Sequence, residues 1–190
     1  MRRTPLDHRI LVHVLIVGIL SVGVAHAGIE RFAEVAPGIF RGSQPTTQAD
    51  FDFLKARSVR TIPSLQTLSW DILPERRDAH HNKIEYRNVY IVAFPLPPGE
   101  TRVKEALLTL TDPSLHPIFV HCSLGRDRTS MIVGLYHVYY QNWTPEAAWD
   151  EMLRDGFKVD WTLRGLKTYF WTHTQRPDWA TRSARSREKE

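Results

Sequence analysis

A continuous apolar run that leads into a short polar loop and then a helix constrains the fold more than any other feature. Residues 117–121 (PIFVH) are typical of a strand that is covered on both faces of a sheet. The loop CSLGRDRT follows at once, and an apolar helical pattern extends from about Thr129 to Gln141. A buried strand joined in this way to a helix indicates an α/β layered domain.

The rest of the body alternates short β-like runs with helical patterns. Further strands are predicted at residues 38–41, 61–65 and 86–92. Helices are predicted after Thr46 or Thr47, over one or two turns at 75–81, from Thr101 to just before Asp112, from Thr144, and over 161–173. Three prolines exclude regular structure in residues 94–100. We therefore expect a single α/β domain with a central, mostly parallel sheet flanked by helices.

The first 27 residues have the pattern of an export signal. Three arginines precede an uncharged, largely apolar stretch over 10–24, and residues 25–27 (AHA) fit the small-x-small rule for signal peptidase. The stretch is shorter than the roughly 20 apolar residues of a membrane-spanning helix, so cleavage before Gly28 is favoured over an uncleaved anchor. A bacterial periplasmic or secreted protein is expected, with no integral membrane span after cleavage.

Charge and apolar periodicity set the remaining boundaries. Residues 1–27 contain three arginines and one aspartate, so the net charge of +4 falls to +2 without them. Residues 28–175 have the apolar pattern of one folded domain. Residues 176–190 lose that pattern and are predicted to form a flexible basic tail with a net charge of +2. Because so low a charge favours a solvated terminus, no nucleic-acid partner is expected.

The loop after the buried strand has the features of an anion site. Its backbone N–H groups and the positive end of the following helix dipole are expected to converge on one place. Gly125 allows a positive φ and the close approach of a ligand, and the planar fork of Arg128 can bind two oxygens of a phosphate. Cys122, the single cysteine, would lie at the base of this hole, where the same donors stabilise a thiolate and lower its pKa.

Each of these residues alone has a simpler interpretation. A lone cysteine after a buried strand is more often core filler, an isolated arginine is usually on the surface, and a glycine is commonly part of a turn. The joint spacing favours a catalytic loop, because Arg128 and Thr129 follow Cys122 after five residues that include Gly125.

The segment HCSLGRDRT resembles the HCxxGxxR(S/T) signature of the cysteine-dependent protein tyrosine phosphatase superfamily, in its dual-specificity branch. Residues 39–45 (IFRGSQP) resemble the opening of small bacterial, plant and fungal atypical dual-specificity phosphatases, and residues 136–152 resemble the helices after their catalytic loop. The resemblance implies a tyrosine-phosphatase-like fold and an exported phosphomonoester hydrolase that needs no metal or other cofactor.

The resemblance also assigns roles by position. It implies that Cys122 is the nucleophile that forms a phosphocysteine, that Arg128 clamps the phosphate, and that the hydroxyl of Thr129 stabilises the departing thiolate. His121 would support the loop. The phosphate-binding residues that it implies are Ser123, Leu124, Gly125, Arg126, Asp127 and Arg128.

The general acid departs from the family pattern. The family usually places an Asp on a separate upstream loop, which here corresponds to residues 94–100, where proline and leucine stand instead. Asp127 inside the phosphate loop is the first candidate, and Glu100 is the alternative. Asp127 could equally form a structural ion pair, and Glu100 could serve the start of a helix. Nothing in the spacing supports Asp71 or Asp78.

Several substrate classes and functions stay open at this level. The substrate is expected to be a phosphorylated protein or a small phosphorylated compound, with inositol phosphates or phosphoinositides as alternatives because Arg126 adds a second cation to the rim. A solvent-facing Arg126 is the simpler alternative. A rhodanese-like sulfurtransferase and a non-catalytic phospho-ligand binder are more distant alternatives. One cysteine excludes a multi-cysteine zinc site, and residues 80–81 (HH) have no ligand spacing around them.

Overall fold

The computed structural model describes residues 28–94 and 96–185. The export signal predicted for residues 1–27 lies outside this part of the chain. A five-stranded sheet with the order β1-β2-β5-β3-β4 forms the centre, and only β1 runs antiparallel to its neighbour. The strands are β1 (Ala33–Ala36), β2 (Ile39–Ser43), β3 (Thr61–Ser64), β4 (Glu85–Asn88) and β5 (Ile118–Cys122). The predicted mostly parallel α/β domain is therefore confirmed.

Helices cover both faces of this sheet. Those described are α1 (Gln48–Lys55), α2 (Ser69–His81), α3 (Glu100–Thr111), α4 (Asp127–Tyr140), α5 (Pro145–Arg154), α6 (Arg164–Thr172) and α7 (Asp178–Arg185), with 3₁₀ turns at Pro113–Leu115 and Trp161–Leu163. No helix in the described ranges is both long and apolar enough to cross a membrane.

Strand β5 is buried along its whole length and divides the core into two clusters. Ile118, Val120 and Cys122 face the cluster that contains the buried sides of α3, α4, α5 and α6. Phe119 faces the second cluster, with side chains of α1 and α2. Since successive side chains of a strand point to opposite faces, His121 lies on the α1 and α2 side and Cys122 on the other.

Two helix starts confirm the sequence prediction. Thr47 caps α1 in a capping box with Asp50. Thr144 caps α5 by accepting a hydrogen bond from the amide of Ala147, with Pro145 at the first helical position. The prediction for α3 was two residues late, because Gly99 and not Thr101 occupies the N-cap position, and the helix begins at Glu100.

Two helical segments differ from the sequence prediction. Helix α2 begins at Ser69 rather than at residue 75, and it buries only Glu75 and Ala79, so apolar periodicity could not indicate its extent. The flexible tail predicted from residue 176 is wrong for Asp178–Arg185, which is helical.

The last helix packs against the body through a small residue and an aromatic ring. Ala180 is fully buried, and the ring of Trp179 lies 6.1 Å from that of Tyr139 in an edge contact. These apolar contacts outweigh the polar composition around them. Residues 186–190 lie outside the described part of the chain.

Candidate active site

The loop between β5 and α4 is built around Gly125. Its φ is +64°, and a Cβ placed on it would lie 2.3 Å from the carbonyl group of Gly42 and 2.5 Å from the amide nitrogen of Ser43. Both the backbone conformation and the close approach to β2 therefore require glycine, and the predicted positive φ is confirmed. Because Ser43 stands opposite Cys122 in the parallel register, the loop turns back over the end of β2.

Donors from elsewhere in the chain hold the carbonyl groups of this loop. The carbonyl of Ser123 accepts from the amide of Gln44 at 3.1 Å, and that of Leu124 accepts from Nη1 of Arg31 at 3.1 Å. The carbonyl of Gly125 accepts from Nη2 of Arg41 at 2.6 Å. In a trans peptide the N–H points away from the carbonyl, so these contacts turn the next three amides to the opposite side of the loop. The loop can thus present N–H groups to an anion.

Arg41 is a functional residue to which the sequence assigned no role. It is 3% exposed and forms an ion pair with Asp155, while its Nη2 also donates to Oγ of Ser130 at 2.9 Å. Burial lowers the pKa of Arg41, and the charge of Asp155 opposes that shift. Burial raises the pKa of Asp155, against the opposing charge of Arg41. One guanidinium therefore joins β2, the phosphate loop, α4 and the end of α5.

Cys122 ends β5 and is 3% exposed. Burial alone would raise the pKa of its thiol, but the charge of Arg128, hydrogen bonds from the hydroxyl and amide of Thr129, and the charge of His121 lower it overall. The structure thus brings Cys122, Arg128 and Thr129 together as predicted, and the shift has the predicted direction. The thiolate is the nucleophilic form of cysteine, and these contacts favour it.

The guanidinium of Arg128 is anchored at the end of a neighbouring strand. Its Nη1 donates to the carbonyl of Leu65 at 3.0 Å, and the same carbonyl accepts from the amide of Ile91 at 3.3 Å. Arg128 lies on the first turn of α4, partly exposed, so its remaining N–H groups can face a ligand.

His121 is fully buried between the nucleophile and an acid on α2. Its Nδ1 lies 3.1 Å from the carbonyl oxygen of Cys122, and its Nε2 lies 2.6 Å from Oε1 of Glu75. The loop-supporting position predicted for His121 agrees with these contacts. Glu75 was not among the predicted residues.

The first candidate for the general acid is tightly held. Oδ1 of Asp127 accepts from the amide of Lys158 at 2.9 Å, and Oδ2 accepts from Nη2 of Arg126 at 3.0 Å. The side chain of Arg126 is only 16% exposed, and its Cδ would lie 3.2 Å from a Cβ placed on Gly156. Arg126 is therefore turned toward Asp127 rather than toward solvent, and Asp127 ties the segment after α5 to the phosphate loop.

The other carboxylates lie elsewhere. Glu100 is the first residue of α3, and its charge, after the larger effect of burial, raises the pKa of Tyr169 to about 12. Asp78 forms an ion pair with Arg77 on the exposed side of α2, and Asp71 lies in the first turn of that helix. Of the four candidates, Asp127 is the one that the structure places in the phosphate loop.

Phe94 and Trp161 form an exposed aromatic pair on two segments that hydrogen bonds link to the loop. The rings of Phe94 and Trp161 meet edge to face at 5.5 Å, and they are 50% and 75% exposed. Phe94 follows Ile91, which shares the Leu65 carbonyl with Arg128, and Trp161 follows Lys158, which binds Asp127. Both segments are thus tethered to the phosphate loop.

A comparison with protein-family models decides what kind of protein this is. The model described as "Tyrosine phosphatase family" matches residues 28–160, which include the whole phosphate loop. The chain belongs to the tyrosine phosphatase family. The resemblance stated from HCSLGRDRT is therefore confirmed.

Curated relatives of this chain are longer than the segments that match it. Inositol diphosphatase DSP3 of Arabidopsis thaliana is 30% identical over 144 residues, which cover 71% of this chain and 66% of the relative. Dual specificity protein phosphatase TpbA of Pseudomonas aeruginosa is 34% identical over 53 residues, 28% of this chain and 24% of that protein. The chain thus spans slightly less than two thirds of the length of DSP3.

Solved structures show the family fold. The core catalytic domain of the PP-IP phosphatase SIW14 from S. cerevisiae superimposes with a TM-score of 0.71 at 23% identity, covering 83% of this chain and 93% of that one. P. aeruginosa TpbA gives 0.61 at 20% identity, covering 78% and 91%.

Sequence reasoning missed two buried charges of this family member, and only one of them had a signal in the sequence. Arg41 is a charged residue within the otherwise uncharged strand IFRGS, and such a residue is seldom buried without a partner. Glu75 had no such signal, because it stands in a polar helix. Among the described residues, no cluster of three or more His, Cys, Asp or Glu side chains is placed to hold a metal ion.

Proposed function

We propose that this protein hydrolyses phosphate monoesters through a Cys122 thiolate and a phosphocysteine intermediate, without a metal ion. The observation that carries the proposal is the buried Cys122 thiol, whose pKa is lowered by Arg128 and Thr129 at the base of the amide-lined loop. Donors that are fixed before the substrate arrives stabilise charge on the phosphoryl oxygens in the transition state.

The reaction has two steps. Sγ of Cys122 attacks phosphorus, the phosphorus–oxygen ester bond breaks, and the departing oxygen takes a proton from Asp127. Water then attacks the phosphocysteine and gives a proton to the Asp127 carboxylate, which releases inorganic phosphate and the thiolate. The hydroxyl of Thr129 stabilises the sulfur as it leaves, from the position in which it lowers the thiol's pKa.

Asp127 is our first choice for the acid because of its place in the loop, with Glu100 as the alternative. Its contacts to Arg126 and to the amide of Lys158 must loosen when it carries a proton. A phosphate dianion attracts the guanidinium of Arg126, so substrate binding itself would free the carboxylate.

Two substrate classes follow from the relatives. TpbA has been solved with phosphotyrosine bound, which supports a phosphotyrosine or other phosphoprotein substrate. Several curated relatives are named inositol diphosphatases, which supports an inositol phosphate substrate with the same mechanism. Arg126 would supply a second cation to a substrate with more than one phosphate once its guanidinium leaves Asp127.

Export with cleavage before Gly28 is part of the proposal. The family match begins at residue 28, and the amide of Gly28 donates to Oδ1 of Asp50 at 2.7 Å. After cleavage, Asp50 would therefore bind the first residue of the mature protein. Intact mass of the protein recovered from the periplasm of an expressing bacterium is expected to correspond to a chain that starts at Gly28; retention of residues 1–27 would contradict export by cleavage.

The central test is phosphate release from an aryl phosphate in the presence of a metal chelator. Cys122→Ser and Arg128→Ala are each expected to lower activity by at least about 10³-fold. Arg77→Ala, which removes a guanidinium that is 67% exposed, is the matched control and is expected to keep full activity. Equal activity of the wild type and Cys122→Ser would disprove the mechanism, persulfide formation from thiosulfate would favour a sulfurtransferase, and binding of vanadate without turnover would favour a phospho-ligand binder.

A series of leaving groups identifies the acid and the substrate. Asp127→Asn is expected to slow the hydrolysis of alkyl phosphates by about 10²- to 10⁴-fold and that of an activated aryl phosphate far less. Glu100→Gln is expected to leave both rates unchanged. The opposite pattern would make Glu100 the acid. Rates on phosphotyrosine peptides, inositol polyphosphates and phosphoinositides, measured side by side, rank the substrate classes.

A further inference from the structure

The least expected group near the nucleophile is a buried acid. Glu75 is 2% exposed, on a helix whose other buried side chain is Ala79, and its carboxylate faces the fully buried imidazole of His121 at 2.6 Å. Burial strips a carboxylate of its hydration, and an ion pair with further hydrogen bonds must offset that loss. The contacts around Glu75 and His121 must therefore stabilise the buried carboxylate.

The contacts of the imidazole restrict where its protons lie. Nδ1 faces the carbonyl oxygen of Cys122 at 3.1 Å, and a carbonyl can only accept a hydrogen bond. Nε2 faces Oε1 of Glu75. With acceptors at both nitrogens, the pair holds either a doubly protonated ring beside an ionised Glu75 or a neutral ring beside a protonated one.

The second oxygen of the carboxylate favours the ionised pair. Nε2 of Gln44 donates to Oε2 of Glu75 at 3.2 Å, and Gln44 is oriented by Gln66, whose Nε2 donates to Oε1 of Gln44 at 2.9 Å. A donor on this oxygen stabilises a carboxylate. Burial alone lowers the pKa of His121, but the charge and hydrogen bond of Glu75, followed by Cys122, raise it overall.

Glu75 and Cys122 are the charges that act most on His121. Tyr86 of β4 faces Glu75, and burial together with that charge raises the pKa of its phenol, which keeps it neutral. The charge of Asp71 on α2 also raises the pKa of Tyr86, and the charge of Arg76 on the same helix lowers it. The groups that lie beside His121 in the sheet are Gly42 of β2 and Ser64 of β3, with the ring of Phe119 stacked at 5.6 Å. Cys122 is the titratable group next to His121 on its own strand.

We propose that Glu75 is a positioning residue that keeps His121 as an imidazolium behind the nucleophile. The doubly protonated ring donates through Nδ1 to the Cys122 carbonyl, which orients the peptide at the end of β5, and it places a positive charge one residue from the sulfur. Removing the charge of Glu75 neutralises the ring and makes the thiolate less stable. The inference builds on Cys122 as the nucleophile, but alkylation and NMR, the readouts that decide it, need no substrate. Its failure is therefore distinguishable from failure of the proposed function.

The first test measures the rate of Cys122 alkylation by iodoacetamide against pH. Glu75→Gln keeps the shape of the side chain and can still donate to Nε2 of a neutral His121. We expect it to raise the pH midpoint for alkylation by about 0.5 to 1 unit, and to move the acid limb of kcat/KM the same way. Asp78→Asn, on the exposed side of the same helix, is the matched control and is expected to leave both unchanged. A midpoint in Glu75→Gln equal to that of the wild type would overturn the proposal.

The second test uses the wild-type protein and so does not depend on how a variant folds. Nitrogen-15 NMR of histidine-labelled protein, with His121 assigned through the Cys122 amide, is expected to show protons on both ring nitrogens at pH 7 to 8. The imidazolium is expected to persist above the usual histidine range, because the folded-state pKa is raised. A neutral ring with one proton at pH 7 contradicts the proposal.

Discussion

The phosphate loop is held in different ways on its two sides. On the side of β2, donors from Gln44, Arg31 and Arg41 bind consecutive loop carbonyls, and Arg41 is almost completely buried. Gly125 touches the backbone of β2 so closely that no side chain fits between them. This side is thus fixed by buried polar contacts and by backbone packing.

The opposite side is open and apolar. Residues 89–99 form no helix or regular strand in the described part, and the exposed rings of Phe94 and Trp161 meet edge to face at 5.5 Å. Leu96, which is 70% exposed, approaches α6 through its backbone, where the lack of a side chain at Gly165 makes room. Backbone hydrogen bonds from Val89 to Ser64 and from Ile91 to Leu65 hold the start of this segment.

The difference separates two tasks of one site. Stabilising a phosphate dianion requires donors that are oriented in advance, since reorientation during the reaction would cost free energy. Recognising the rest of the substrate requires surface area and tolerates adjustment. We therefore expect changes on the β2 side to affect stability and chemistry together, and changes on the open side to affect substrate binding alone.

The largest effect is expected from Gly125→Ala. A side chain at φ +64°, with its Cβ 2.3 Å from the Gly42 carbonyl, forces the loop away from β2. The free energy of unfolding is expected to fall by more than about 3 kcal/mol, with loss of vanadate binding, in urea melts and isothermal titration calorimetry. Gly99→Ala is the matched control, because Gly99 has an ordinary φ of −69° and open space around it. Tight vanadate binding by Gly125→Ala would show that the contact with β2 does not shape the loop.

A smaller effect is expected from Arg41→Met. The change leaves the carboxylate of Asp155 without its ion-pair partner and the carbonyl of Gly125 without a donor. Breaking such a pair costs about 3 kcal/mol of stability, and we expect kcat to fall by about 10- to 100-fold. Urea melts and steady-state kinetics measure the two effects, with Arg77→Met on the exposed surface as the control. Loss of stability with unchanged kcat would mean that Arg41 supports the fold without orienting the loop.

The smallest effect is expected on the open side. Phe94→Ala and Trp161→Ala are each expected to raise KM for an aryl phosphate by about 2- to 5-fold and to change stability by less than about 1 kcal/mol, since both rings are at least half exposed. Phe53→Ala on α1 is the control, because it removes a similar edge-to-face pair, the one with Phe32, far along the chain from the loop. If either variant has a kcat as low as that of Arg41→Met, the open side contributes to the chemistry, and the proposed difference between the two sides is wrong.

The sequence predicted the chemistry of the loop better than the extent of the helices. Cys122, Gly125 and Arg128 lie within seven consecutive residues, so their spacing alone indicated one site. The strand before them and the helix after them were predictable because both are buried and continuously apolar. Helix α2 and helix α7 were underestimated, since the first buries a glutamate and the second is anchored mainly by Ala180 and Trp179.

The sequence by itself determined the strand–loop–helix segment that carries Cys122, Gly125 and Arg128, and the α/β class. Each of these depends on neighbours in the chain, where turn chemistry and apolar periodicity can be read directly. Only the tertiary structure decided which distant charges complete the site. Arg41 reaches the Gly125 carbonyl across 84 residues, and Glu75 meets His121 because α2 covers the face of β5 opposite Cys122. Such pairs form between buried polar groups that burial forces to find partners, and the partner depends on which strands and helices become neighbours.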